Sequence, residues 1–368
     1  MPARSENVDP PRQTIRTTKA LDAAGLLSGA RTSIDEVTAR FALSITPTMV
    51  EQIATTHSDP VARQFVPSAE ELTIVADELA DPIGDDAHSP VPGVVHRYHD
   101  RVLLKALQIC PVYCRFCFRR ESVGQGQGLL REDDLANAVT YIAEHPEIWE
   151  VILSGGDPLM LSPTRLRRII AALDDIAHVG VIRIHTRVPV VAPDLITAEL
   201  VATMRTHTPV WIVLHCNHSQ EIGAQSRTAL GALTDAGIPL LSQTVLLKGI
   251  NDTAEALTQL FRKLVTLKVK PYYLHQGDLA PGTGHLRTTI ATGQDLMRQL
   301  RGPVSGLCQP TYVLDIPGGH GKVPIGGSYL DHDIDGYLVR DPSGVVHRYA
   351  PHTATSLDDS TLRHDADR

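Results

Sequence analysis

The chain contains no apolar run of about twenty residues, so no stretch is long enough to cross a bilayer as a helix. Its first residues, MPARSENVDPPRQT, lack the apolar centre of a secretory signal. It has no basic excess. Lys and Arg number 34 against 42 Asp and Glu, a formal net charge of −8, so no basic surface argues for bulk nucleic-acid binding. Cysteine is sparse: five residues in 368, an odd number with three clustered, make no disulfide framework. Internal repeats beyond a strand–helix unit and low-complexity blocks are also missing. These absences predict a globular protein of the reducing cytoplasm, with neither membrane nor nucleic acid as partner.

What is present centres on Cys110-Pro-Val-Tyr-Cys114-Arg-Phe-Cys117-Phe-Arg119-Arg120, which follows an apolar run at residues 103–109. No fourth cysteine is nearby; the next is Cys216. A cubane iron–sulfur cluster usually takes four thiolates. Three leave one iron open, where a metal does chemistry. The bland alternative is structural zinc, which wants four protein ligands in a closed tetrahedron.

Around this loop the apolar pattern is regular. β-Branched runs at residues 103–109, 151–153, 179–184, 210–214, 239–245 and 269–274 start, after the first interval, about every thirty residues. Helical patterns lie between them, for instance at 131–144, 163–173, 192–204 and 254–267. Such alternation predicts a parallel sheet with right-handed crossovers. Six units are fewer than the eight of a closed barrel, so the predicted fold is α/β, a six-unit partial barrel. Residues 1–88 are expected to form a loose tail and a helical N-terminal domain, with helices at 47–56 and 69–79. Residues 81–93, rich in Pro, Gly and Asp, read as a linker or clasp. The barrel is assigned to 89–305. Residues 306–368 form a C-terminal segment with a short strand at 311–315, a Gly-rich loop, a hairpin turning at 341–344 and a frayed end. Ligands in such folds gather at the carboxyl ends of the strands. The cysteines, SGGDP at 154–158, His185 and Gln243 all fall at or near such ends.

The cysteine spacing is that of radical S-adenosylmethionine (SAM) enzymes, and CPVYCRFCFRR resembles the cluster loop of the lysine 2,3-aminomutase family. HRYHDR before the cysteines, SGGDPL after them and DIPGGHGK near the end are that family's other marks, in the same order. The resemblance spans roughly residues 45–330. It implies a [4Fe-4S] cluster on Cys110, Cys114 and Cys117, SAM on the open iron, and pyridoxal 5′-phosphate as a further cofactor. Two glycines at a strand end, Gly155 and Gly156, let a backbone approach a ligand closely. With Asp157 they are the implied contact for the methionine moiety. His215 and Gln243 are further candidates for SAM or cofactor contact, although a satisfied-core role suits either residue equally.

The loop Asp315–Lys322 superficially matches a phosphate loop. The nucleotide pattern fails, because Ile316 and Val323 stand where it needs Gly and Ser or Thr. A single lysine in a small-residue loop instead suits a Schiff base, and the resemblance implies that Lys322 carries the pyridoxal. Arginine's planar fork matches phosphate oxygens, and the family motif maps its two arginines to Arg97 and Arg101. Arg119 matches the arginine that pairs with an amino acid's α-carboxylate. Asp278 and Asp315 match two aspartates that hold a distal ammonium in lysine-directed members. Without a cation two such carboxylates would raise one another's pKa. The implied activity is isomerisation of L-lysine to β-lysine by moving the α-amino group to the β-carbon, with arginine or ornithine as alternative substrates. The product could feed elongation factor P modification, antibiotic or osmolyte synthesis, or lysine breakdown. More distant readings are a pyridoxal-independent radical SAM enzyme and an electron-transfer protein. The expected partners are the amino acid, an electron donor such as flavodoxin or ferredoxin, and further copies of the chain in a homo-oligomer. No cysteine follows Cys308, so the zinc site of the long clostridial type is absent, and this chain resembles the short type. His320 stands where the long type has glycine.

Overall fold

The computed structural model describes residues 13–27, 29–54, 58–124, 128–334 and 336–350. The frayed end and the first part of the expected N-terminal tail lie outside them. From Gln13 onward the chain is anchored: Ile15 pairs with Ile45 and is buried. The structure divides into two units, Met1–Gly326 and Gly327–Arg368.

The first unit begins with short helices, α1 (Thr18–Ala23), α2 (Arg31–Arg40), α3 (Pro47–Gln52) and α4 (Ala62–Phe65). The predicted N-cap at Thr46 is present, its hydroxyl accepting from the Met49 amide, with Pro47 in the first turn. Ser68 also caps, forming a reciprocal pair with Glu71. It opens only a 3-10 turn, Ala69–Leu72, rather than a helix to residue 79. The reason is Glu71. Fully buried, it accepts from Arg115 Nε at 2.9 Å and from Arg120 at 2.5 Å, which fixes this segment against the cysteine loop.

A nine-stranded sheet follows in simple chain order: β1 (Val94–Tyr98), β2 (Arg101–Leu107), β3 (Glu150–Gly155), β4 (Val181–Thr186), β5 (Val210–His215), β6 (Leu240–Val245), β7 (Val269–His275), β8 (Thr311–Asp315) and β9 (Lys322–Pro324). Strands β2 to β8 are parallel, and β1 and β9 pair antiparallel at the two edges. The six predicted strands and the short seventh are all present. The two edge strands were not foreseen. HRYHDR forms the end of β1, a tight turn and the start of β2, and Lys322 opens β9 beside Asp315.

Helices α5 (Glu132–Glu144), α6 (Pro163–Asp174), α9 (Ala224–Asp235), α10 (Ala254–Thr266) and α11 (Ile290–Leu300) connect the strands. In place of the helix expected at 192–204 stand a 3-10 turn (Pro193–Leu195) and α8 (Ala198–Ala202), preceded by α7 (Val188–Val191). Pro193 opens the 3-10 turn at its first position, and Thr197, in extended backbone, starts a new helix by accepting from the Leu200 amide. One apolar core joins the N-terminal helices, the crossover helices and the strand residues between them. Strand alternation then decides what faces the concave side. Leu104, Ile184, Leu214, Thr244 and Leu274 are buried. Their neighbours Lys105, His185, His215, Gln243 and His275 are half-buried and line the hollow of the curved sheet.

The second unit is a three-stranded antiparallel meander, β10 (Leu330–Asp333), β11 (Gly336–Arg340) and β12 (Val346–Tyr349). The predicted hairpin is β11–β12. Asp341 makes its turn, accepting from the Ser343 and Val345 amides at 2.9 Å.

Candidate active site

The cysteine loop leaves β2 at Leu107 and returns beneath β3. Backbone hydrogen bonds from Gly156 to Leu107 and from Asp157 to Ile109 extend the pairing of the two strands past their ends. This approach requires glycine. A Cβ on Gly156 would strike the Ile109 carbonyl and lie 2.5 Å from its nitrogen. Gly155 has φ +105, and a Cβ there would lie 2.5 Å from the Leu107 oxygen. The two glycines thus set the height of Cys110 over the sheet.

Cys110, Cys114 and Cys117 are half-buried free thiols. Burial pushes all three upward, Cys117 to about 11, and their mutual repulsion adds to it for Cys110 and Cys117. Each therefore needs a positive partner or metal to ionise. Donors are in place. Arg187 reaches Cys114 Sγ at 2.9 Å, and the Arg119 amide donates to Cys117. Arg187 is itself held by Glu221 at 2.6 Å and Gln64 at 2.5 Å. Among the described residues no three His, Cys, Asp or Glu side chains converge on a single-ion site. A cluster on three thiolates keeps one iron open, whereas a structural zinc closes its tetrahedron with four protein ligands. Donors aimed at the sulfurs suit a cluster too. Phe116 packs against Leu247, Ile250 and Leu286, and its ring lies 5.5 Å from that of His215.

Asp157 is buried and fully committed. It accepts from Thr186 Oγ1 and the Arg187 amide, both at 2.6 Å, and from the Leu159 and Val188 amides. It braces the strand ends from below. The other candidates are half-buried. His215 on β5 is in register with Gln243 on β6, which is in register with Tyr273 on β7. The Nε2 atoms of His185, His215 and His275 are buried with no hydrogen-bond partner. Burial holds all three rings below the usual histidine range.

At the far edge Lys322 lies in the same hollow. Its backbone N–H donates to Tyr98 Oη at 2.7 Å, and Arg101 stacks on the Tyr98 ring at 3.8 Å. Its Nζ pairs with Asp315 and lies 3.2 Å from His275 Nδ1. Burial opposes ionisation of Asp315, but His275 and Lys322 outweigh it and hold that carboxyl well below its usual range. Asp278, in the loop after β7, behaves oppositely. Burial and the adjacent Asp315 push it up to about 7, against the pull of Lys322, Arg119 and Arg97. Arg119 and Lys322 likewise both depress His185. Arg119 of the cysteine loop and Lys322 of the lysine loop thus act on the same two side chains, His185 and Asp278.

Asp85 was not singled out from the sequence, because an acid in an Asp-rich linker carries no signal. It accepts from Arg119 Nε at 2.9 Å and lies 3.3 Å from Arg97 and 3.7 Å from Lys105. Arg97 also donates to the Ile83 carbonyl. The lysine loop touches the same segment, since the Gly318 amide donates to Pro82 O at 3.2 Å. His275 was also missed, although it ends a predicted strand and the strand-end rule covers it.

A parallel half-barrel with a three-thiol loop after its first parallel strand defines a radical SAM enzyme, and here a lysine stands on the far edge of the same sheet. Residues 105–261 match the Radical SAM superfamily model, and residues 297–363 match a model described as lysine-2,3-aminomutase. L-lysine 2,3-aminomutase of Clostridium subterminale is 44% identical over 294 residues, 80% of this chain and 71% of that one. That of Acetoanaerobium sticklandii is 43% identical over 309 residues, 83% and 75% of the two chains. Glutamate 2,3-aminomutase of Clostridioides difficile is 36% identical over 298 residues, 81% and 70%. The chain belongs to the lysine 2,3-aminomutase family. It is an isomerase with that family's cofactors, a [4Fe-4S] cluster, SAM and pyridoxal phosphate.

Proposed function

We propose that this enzyme converts L-lysine to β-lysine. The bound cofactors supply the radical and the electron sink, and the protein supplies grip and orientation. Cys110, Cys114 and Cys117 hold the cluster. The Gly155–Gly156 turn, His215 and Gln243 border the SAM position, and Asp157 supports that turn. Lys322 binds the pyridoxal, and Arg97 and Arg101 take its phosphate. Arg119 holds the substrate's α-carboxylate, while Asp278 and Asp315 receive its terminal ammonium.

The observation that carries the substrate reading is the acidic pair. Asp315 stands close enough to push Asp278 upward, and both lie near Lys322; two carboxylates so placed are complementary to a cation and repel an acid. A glutamate-directed enzyme would need donors there, so the likeness to glutamate 2,3-aminomutase does not carry its substrate over. The enzyme works in the cytoplasm as a homo-oligomer and draws its electron from a small donor such as flavodoxin or ferredoxin. The test is anaerobic incubation with SAM, pyridoxal phosphate, a reductant and lysine, arginine, ornithine or glutamate. β-Lysine from lysine is expected. A β-isomer from glutamate alone, or from none of the four, overturns the reading.

A further inference from the structure

The contact between Lys322 and His275 goes beyond holding a cofactor. Lysine is a nucleophile only as the neutral amine, and Lys322 Nζ sits on the Asp315 carboxylate. A carboxylate held far below its usual range is a poor acceptor for that proton. Another acceptor lies within reach. His275 Nδ1 is 3.2 Å from Lys322 Nζ and 3.4 Å from Asp315 Oδ2. The same nitrogen thus faces a donor before proton transfer and an acceptor after it. The ring is fixed for this role: it ends β7, packs edge-on against Tyr273 at 5.6 Å, and is 16% exposed.

We infer that His275 is the group that takes the proton from Lys322 and returns it whenever the lysine joins or leaves the pyridoxal. The inference rests on the assignment of Lys322 above. On loading, His275 Nδ1 takes one proton from the Lys322 ammonium, and Asp315 stabilises the imidazolium through that same N–H. The freed lysine nitrogen adds to the aldehyde carbon, and one of its protons passes to the carbonyl oxygen. His275 then gives its proton to that hydroxyl, which leaves as water. The carbon–nitrogen bond is now double, the nitrogen keeps one proton and the positive charge, and His275 is neutral again. When the substrate amine displaces Lys322, the departing nitrogen recovers its proton by the reverse route. Charged and titratable groups around His275 are Asp315 on β8, Lys322 on β9, Tyr273 on its own strand, and the rings of His185 and His215 across the hollow. Burial and the Lys322 charge hold His275 below the usual histidine range, so at pH 7 the ring is neutral and its Nδ1 is open to a proton.

The test is the rate at which cluster-loaded, pyridoxal-free protein takes up pyridoxal phosphate, followed by imine absorbance from pH 6 to 9. In the parent, uptake should be nearly flat between pH 7 and 9. In His275→Gln, which keeps a similar shape but cannot carry the proton, uptake at pH 7 should fall at least tenfold. It should then climb at least tenfold toward pH 9, because solvent hydroxide must take the proton that His275 no longer accepts. Iron content serves as the folding control. His275→Ala with added imidazole should recover the pH 7 rate if the glutamine variant lacks iron. Borohydride trapping separates the two readings. A label on Lys322 with an unchanged pH profile in the variants overturns the role of His275 alone. A label on another lysine overturns both.

Discussion

Asp85 occupies the guanidinium of Arg119, with Nε at 2.9 Å and the adjacent terminal nitrogen at 2.8 Å from one carboxylate oxygen. Arg97 and Lys105 approach the same carboxylate. One buried acid therefore joins the arginine proposed for the substrate carboxylate to the arginine proposed for the cofactor phosphate. Burial disfavours the charge on Asp85, but Arg119, Lys105 and Arg97 outweigh it and hold the carboxyl below its usual range. A lowered folded-state pKa adds stability above the unfolded value of about 4, and that stability is lost as pH falls through the folded value. Asp85→Asn leaves three cations facing one another and should cost about 3 kcal/mol at pH 7. Urea unfolding at pH 7 and pH 3.5 checks this: the deficit of the variant should shrink at the lower pH. An equal deficit at both would mean that packing, not charge, is what was lost.

Arg119 serves three partners by different atoms. Its backbone amide donates to Cys117, and its side chain meets Asp85 and, at 3.4 Å, Ser154. Arg119→Ala keeps the amide and removes the fork. Iron and sulfide per chain should stay near the parent level, while turnover of lysine should fall on the order of a hundredfold, the weight of a lost charge-assisted bidentate pair. A variant that loses iron in proportion to activity would assign the side chain to the cluster instead of the substrate.

The free enzyme should bind lysine better as pH rises through neutrality. Asp278 is pushed up to about 7 by burial and Asp315, so near pH 6 it carries a proton and cannot pair with an ammonium. The pH dependence of kcat/KM reports groups in the free enzyme. It should climb between pH 6 and 8 on a limb of about 7. In Asp278→Asn the limb should vanish, and kcat/KM should sit at or below the parent's pH 6 value throughout. Retention of the limb in that variant would reassign it to another group.

The parts of the site legible in the sequence are those where spacing is itself chemistry. Three thiols at fixed intervals, paired glycines at a strand end and one lysine in a small-residue loop each name a backbone shape or a bond. The parallel strands were legible because a strand buried on its helix-facing side must be apolar and β-branched. Edge strands β1 and β9 were not, since a half-exposed strand of mixed residues such as Val94–Tyr98 looks like a loop. Asp85 and Glu71 were hidden for a related reason. Each gains meaning from arginines 34 and 44 residues away, and nothing local marks an acid as the anchor of a distant guanidinium. The helical pattern at 192–204 misled because apolar spacing persists across Thr197, where the backbone is extended and a new helix is capped.

The glycine turn under the cluster loop gives the sharpest structural prediction. Gly156 and Ile109 are in backbone contact, and a methyl group on Gly156 would meet the Ile109 nitrogen at 2.5 Å, with no flexible side chain able to yield. Cys110 follows Ile109 directly, so relief of the clash must lift the first cluster ligand away from Cys114 and Cys117. Gly156→Ala should therefore lose more than half of its iron and sulfide after anaerobic reconstitution. Far-ultraviolet circular dichroism should stay near the parent, because the core joining the strands and helices does not pass through this turn. Gly231, in the middle of α9, is the matched control. A Cβ there meets nothing within 4 Å, and replacing a helical glycine by alanine stabilises by up to about 1 kcal/mol. Gly231→Ala should keep its full iron content and unfold at slightly higher urea. If the two variants retained iron equally, the cysteine loop would have slack that this backbone contact denies it, and the close approach would be a feature of packing alone.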